Sequence, residues 1–138
     1  MPTGYIAFVL DENTREQILA AIAPRFEIVV CHHITVEYGV TDEAALPSLQ
    51  RAEIIGYCTD NGGIEALIVA IDGNTTRPDG STYHITLSHA QGREPKESND
   101  AICEHGWSPI ELGTSLSVQA QFILSSNNGG DDDDNSLG

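Results

Sequence analysis

The tripeptide His-Ile-Thr occurs twice in this chain, in "CHHITVEY" from Cys31 to Tyr38 and in "YHITLSH" from Tyr83 to His89. Each copy sits in a run of alternating polar and β-branched or aromatic residues, the pattern of a half-buried strand. Successive side chains on a strand point to opposite faces, so His33 and Thr35 share one side, as do His84 and Thr86. The other side of the first strand carries Phe26, Ile28, Val30, Ile34, Val36 and Tyr38 if it runs unbroken, and that of the second carries Tyr83, Ile85 and Leu87. These are core residues, so both His/Thr pairs are expected on the face turned away from the core. Roughly 0.3 matches to His-x-Ser/Thr-apolar would arise by chance in a chain of this composition. Two copies therefore constrain the fold, because both strands must pack on one side and present an imidazole and a hydroxyl on the other.

The rest of the chain reads as α+β. "GYIAFVL", Gly4 to Leu10, is a buried strand, and Asp11 caps a helix that carries Arg15, Ile18, Leu19 and Ile22 on one side until Pro24 stops it. "FEIVV" and "HHITVEY" are strand material, and "TDEAALPSLQRA" reads as a short helix interrupted by Pro47. "EIIGYCT" and "IEALIVAID" are strands about a turn at "DNGG", and "GNTTRPDGS" is a loop leading into the second His-Ile-Thr strand. "KESNDAICEHG" reads as a helix with Gly106 as its C-cap, and "SLSVQAQFIL" as a last strand. Residues 1–124 form one domain on this reading. Residues 125–138, "SSNNGGDDDDNSLG", form an acidic tail of disordered composition.

Charge bounds the partners. The formal net charge is -15, with only six Lys and Arg. The tail's aspartates supply part of it, and the body remains acidic without them. Long RNA or DNA is held chiefly by neutralising phosphates, so this chain is an unfavourable partner for it. A small, locally held phosphate compound is compatible. No run approaches the ~18 apolar residues of a membrane helix, and no basic n-region precedes an apolar stretch. Three cysteines without CxxC spacing fit a reducing cytosol better than a disulfide framework. A cytoplasmic protein is expected.

Two imidazoles and two hydroxyls on one face can surround a single phosphate. One histidine can remove a proton while the other delivers one, because an unperturbed imidazole titrates near neutrality. The threonine hydroxyls suit the charge that grows on the phosphoryl oxygens. The motifs His33-Ile34-Thr35-Val36 and His84-Ile85-Thr86-Leu87 resemble the duplicated HxT signature of the 2H phosphoesterases. That superfamily includes LigT-like RNA phosphodiesterases, cyclic phosphodiesterases and the phage anti-CBASS nucleases that destroy cyclic oligonucleotide signals. The resemblance spans residues 4–124 when the β-α-β start is counted, and the compact phage nucleases are closest in scale. It implies a compact two-lobed fold, with antiparallel sheets around a central cleft and helices outside. It also implies a metal-independent phosphodiesterase with catalytic residues His33, Thr35, His84 and Thr86, no cofactor, and a small cyclic oligonucleotide as substrate. The alternatives are a 2′,3′-cyclic phosphodiesterase or RNA-end processing enzyme, and a non-catalytic cyclic-nucleotide-binding module.

Further candidates surround these motifs. Tyr5 and Trp107 could stack on bases, and Arg77, Arg93 and Lys96 are local cations for a second phosphate. Glu37, sharing the parity of Thr35, could orient a histidine or a sugar hydroxyl. His32 and His89 fall on the core-facing parity and read as structural. Cys31, His32, His33 and Glu37 are close in sequence. Residues 32 and 33 point to opposite faces of a strand, however, and cannot share one tetrahedral ion without a bulge, so no metal is expected.

Overall fold

Asp11 ends the first strand and starts the first helix. Its Oδ1 accepts from the backbone N–H of Thr14 at 2.7 Å, satisfying one of the donors that a helix start leaves open. In the computed structural model, which describes residues 3–112 and 115–124, β1 spans Thr3–Leu10 and α1 spans Glu12–Ala21. Then follow β2 (Ile28–Val29), β3 (His33–Thr41), β4 (Ala52–Thr59), β5 (Ile64–Ile71) and β6 (His84–His89). The chain closes with α2 (Glu97–His105), β7 (Ser108–Pro109) and β8 (Val118–Leu124). The tail 125–138 lies outside the described residues. No described helix is long and apolar enough to cross a membrane.

The strands form one sheet in the order β7-β4-β5-β6-β3-β1-β8, with β2 paired to β6. The pairings are antiparallel. The fold is therefore α+β with an antiparallel sheet, as expected. The helices cover opposite faces. Ile18 of α1 packs with Phe8, Ile34, Leu67 and Ile85, while Ala101 and Ile102 of α2 pack with Ala66, Ile68 and Cys58. Adjacent residues of β5 thus serve different cores, which is why "IEALIVAI" is apolar almost throughout and buried along its whole length. Burying a side chain such as Ile18 is worth about 1.5–3 kcal/mol.

Two expected elements differ. "TDEAALPSLQRA" does not form a helix; residues 43–51 are turn and irregular chain. Pro47 removes a backbone donor and disfavours helix at the residue before it. The Asp72 carboxylate takes the N–H groups of Gln50 and Arg51 at 2.9 and 2.8 Å, offering them partners outside a helix. The "FEIVV" strand is reduced to Ile28–Val29, whose side chains are exposed.

The first motif strand does not run unbroken either. Cys31 has φ of +41°, a left-handed value that costs a non-glycine residue on the order of 1–3 kcal/mol. Hydrogen bonds hold it there. Its N–H donates to the Thr86 carbonyl at 2.9 Å, and its own carbonyl accepts from Arg15 Nε at 3.0 Å. The kink passes the chain from the β6 edge to β1, where the Leu10 N–H donates to the His32 carbonyl. β3 begins immediately after it.

Register shifts reset side-chain parity at four places: Val36 and Gly39 in β3, Ile55 in β4 and Leu87 in β6. In β3, Ala7 pairs with Thr35 and Ile6 with Glu37, leaving Val36 extra. In β4, Val69 pairs with Ile54 and Ile68 with Gly56, leaving Ile55 extra. A bulge sends the side chains that follow to the other face. Ile54 therefore lies in the α1-side core while Cys58 lies in the α2-side core.

Candidate active site

β3 and β6 meet at one registered pair, Ile34 opposite Ile85, both fully buried in the α1-side core. The neighbours of a paired residue point to the other face. Antiparallel symmetry about this pair therefore sets His33 across from Thr86 and Thr35 across from His84, all on one side of the sheet. Each of the four is buried, with His84 only 1% exposed. The two motifs far apart in sequence are thus brought together.

The imidazoles are held differently. His84 Nδ1 lies 2.9 Å from the Thr82 carbonyl. A carbonyl only accepts, so Nδ1 carries the proton and Nε2 of the neutral ring is a bare lone pair. His33 Nδ1 lies 2.9 Å from His32 Nδ1, where either ring can donate. Burial is the main force on both histidines and pushes each down to about 4. Charge on His32 and His84 adds to the effect at His33. At His84 the bond to Thr82 opposes burial, and the Arg77 cation reinforces it.

Five buried side-chain atoms have no hydrogen-bond partner among the described residues: His33 Nε2, His84 Nε2, Thr35 Oγ1, Arg77 Nη1 and, on α2, Asn99 Oδ1. Leaving one buried polar group unsatisfied costs about 1–3 kcal/mol. A group of them around one point is the signature of a site built to meet a polar ligand.

Arg77 is carried in by the loop that precedes β6. Its N–H donates to the Ser81 carbonyl at 2.7 Å, and its carbonyl accepts from the Gly80 N–H at 2.9 Å. The buried guanidinium donates through Nη2 to Asp79 Oδ2 at 3.0 Å and lies 5.2 Å from the centre of the Tyr38 ring. That hydrogen bond holds the Asp79 carboxyl well below the usual carboxylate range. Asp79 and Tyr38 thereby orient the guanidinium while Nη1 stays unengaged.

Tyr5 joins the cluster, its ring 5.7 Å from that of His33 and 6.0 Å from that of Tyr38. Glu37 does not. The bulge at Val36 reverses the parity on which its assignment beside Thr35 rested, so Glu37 opposes Ile6 and Tyr38 opposes Tyr5. Tyr38 thus occupies the place expected for Glu37. With Glu37 turned away, the set Cys31, His32, His33 and Glu37 is not assembled. Among the described residues no group of three or more His, Cys, Asp and Glu is placed to hold a metal.

Trp107 lies outside the cluster, packed on Gly56, where an added Cβ would run into the indole. It lines a pocket of about 330 Å³ with Thr82, Ile102 and Cys103, next to the residue whose carbonyl holds His84. Arg93 is pinned by Asp60 at 2.7 Å, by the Gly62 carbonyl at 2.6 Å and by Glu97, so it clamps the β4–β5 turn to α2. Lys96 pairs with Glu94 at 3.5 Å on the surface. His89 is buried, its Nδ1 2.9 Å from the Ala90 carbonyl, but the extra residue Leu87 turns it from the expected face of Ile85 and Leu87 to that of its partner Ile64, in the α2-side core. His32 is exposed and touches His33; the kink at Cys31 breaks the strand pattern that had placed it in the core.

The two threonines are not equivalent. Thr86 Oγ1 donates to the Pro95 carbonyl at 3.2 Å and shares a 2.9 Å hydrogen bond with Ser98 Oγ, tying β6 to α2. Thr35 Oγ1 has no partner among the described residues. Thr86→Val is expected to lower stability by about 1–3 kcal/mol. Thr35→Val should leave stability nearly unchanged and lower turnover about tenfold or more, as a lost transition-state donor does. Urea denaturation and initial rates on both variants separate the roles.

Folding also depends on pH through the imidazoles. Each folds with its value lowered from 6.5 to about 4, so the unfolded chain binds more protons between those limits. Stability is complete above about pH 6.5 and is lost progressively as pH falls toward 4, on the order of 3 kcal/mol per histidine. His84→Gln should flatten this loss, measured as the urea midpoint across that range.

No protein-family model, curated protein or solved structure matches this chain.

Proposed function

We propose that the protein is a metal-independent phosphodiesterase of the two-histidine kind. Four of the five partnerless buried atoms carry this reading: two imidazole nitrogens, a hydroxyl and a guanidinium nitrogen around the β3–β6 junction. The sheet divides naturally there. On one side are β8, β1 and β3, and on the other β6, β5, β4 and β7. One motif comes from each side of that junction, which supports the two-lobed reading.

The particular activity is cleavage of a small cyclic oligonucleotide, such as a cyclic dinucleotide of anti-phage immunity, at a 3′–5′ linkage. His84 Nε2, with its lone pair fixed by the bond from Nδ1 to Thr82, takes the proton from the adjacent 2′-hydroxyl. That oxygen attacks phosphorus, and the His33 side returns a proton to the departing 5′-oxygen. Arg77 Nη1 and the Thr35 hydroxyl donate to the non-bridging oxygens as charge accumulates. The nucleophile is part of the substrate, so the protein supplies proton transfers and charge stabilisation. The substrate has few phosphates, in keeping with a net charge of -15.

The test is incubation with cyclic di- and trinucleotides, a 2′,3′-cyclic mononucleotide and a short RNA, with a chelator present, followed by chromatography. Consumption of a cyclic ribo-dinucleotide but not of its 2′-deoxy counterpart is the expected result. Equal cleavage of the two would refute attack by the 2′-hydroxyl. Cleavage confined to 2′,3′-cyclic ends would replace this substrate with RNA-end chemistry.

A further inference from the structure

His33 and His84 share one face, yet their second nitrogens have different partners. His84 Nδ1 is bound to a carbonyl, which fixes its tautomer. His33 Nδ1 is bound to another imidazole, which does not. His33 is buried, and the ring beside it is exposed. The groups facing His33 are His32 ahead of β3, Tyr5 from β1 and His84 from β6. None of these is a carboxylate that would stabilise a charged His33.

We propose that His32 is the proton-relay partner of His33, storing at the solvent-exposed ring the proton that His33 delivers to the leaving oxygen. This rests on the phosphodiesterase reading and assigns the acid and base roles within it. In the loaded state His32 is the imidazolium, and its Nδ1–H donates to His33 Nδ1. His33 is neutral and carries its proton on Nε2. As the phosphorus–oxygen bond breaks, the Nε2 proton passes to the departing alkoxide and the His32 Nδ1 proton passes to His33 Nδ1. One proton leaves the pair, its charge falls by one, and both rings end neutral. On product release His33 Nε2 takes a proton from water entering the vacated site and His33 Nδ1 returns its proton to His32 Nδ1, which restores the charge on the exposed ring. Keeping the positive charge on the hydrated ring avoids the desolvation that holds His33 neutral. His84, locked with a bare Nε2, remains the base.

His32→Gln tests the relay, because the residue is exposed and its loss removes no core contact. Turnover at neutral pH should fall about 10²-fold, the scale of a lost general acid, with KM little changed. The high-pH limb of the rate profile should move toward lower pH, since the proton must now reside on the buried ring. Free imidazole should restore part of the rate in His32→Gly. An unchanged profile in an active His32→Gln enzyme overturns the relay. Nitrogen-15 NMR of the histidine rings in the full chain gives a reading independent of catalysis. In the wild type, His32 and His33 should titrate as one coupled unit, and in His32→Gln the His33 tautomer should change. Independent titration of the two rings overturns the relay even if the enzyme is active. Coupled rings in a protein that cuts no phosphodiester support the proton pair and overturn the assigned reaction.

Discussion

His84→Ala is expected to lower turnover of a cyclic ribo-dinucleotide at least about 10²-fold, the usual worth of general base catalysis. Its Nε2 is buried, without a partner among the described residues, and aligned by a single bond to the Thr82 carbonyl. Removing the ring removes the acceptor for the 2′-hydroxyl proton. His33→Ala should have an effect of similar size from the acid side. The double variant should be little worse than either single one, because groups that act in one concerted step are not additive. Stability should not explain the loss. At neutral pH each buried imidazole leaves a polar nitrogen unsatisfied, so the His84→Ala penalty is limited to lost packing and the one bond to the Thr82 carbonyl. The measurement is kcat with the urea midpoint taken on the same sample. Full activity in His84→Ala would remove the base from the scheme.

Arg77→Met is expected to lower turnover about 10²–10³-fold, as losing a preorganised oxyanion donor does, while leaving stability unchanged or raised. The guanidinium is 3% exposed, and one of its terminal nitrogens has no partner among the described residues. A buried cation satisfied only in part is a poor source of stability. Methionine keeps the contact with Tyr38 and removes the unmet donor. Its Asp79 partner is half exposed at the side chain and can be hydrated once released. High stability with low activity is the pattern of a residue retained for function. Asp79→Asn should cost less, because the guanidinium charge remains and only its orientation loosens. Thermal denaturation and initial rates on the three proteins decide the matter. An Arg77→Met enzyme that turns over normally would show that the cation has no part in holding the phosphate.

Local pattern alone determined several features. Asp11 at the helix start and Gly106 at the end of α2 act through chemistry confined to one turn. "IEALIVAI" carries its own burial on both faces. The two His-Ile-Thr strands were legible because alternation is a property of neighbouring residues, and the shared side of each His and Thr follows from it. What local pattern could not hold was any parity that crosses an irregularity. The bulge at Val36 exists because β1 pairs past it, and it exchanged Glu37 for Tyr38. The kink at Cys31 is held by Thr86 and Arg15, residues distant in sequence, and it turned His32 from an expected core residue into the neighbour of His33.

The meeting of the two motifs was likewise decided by tertiary structure. Nothing within either motif stretch states that Ile34 will pair with Ile85, that Arg77 will return across Tyr38, or that Ser98 will engage Thr86 and not Thr35. The sequence by itself determined which groups could do acid–base chemistry on a phosphate. Long-range strand pairing decided which of them share a face, because register is set by the partner strand and a shift of one residue sends every following side chain to the opposite side.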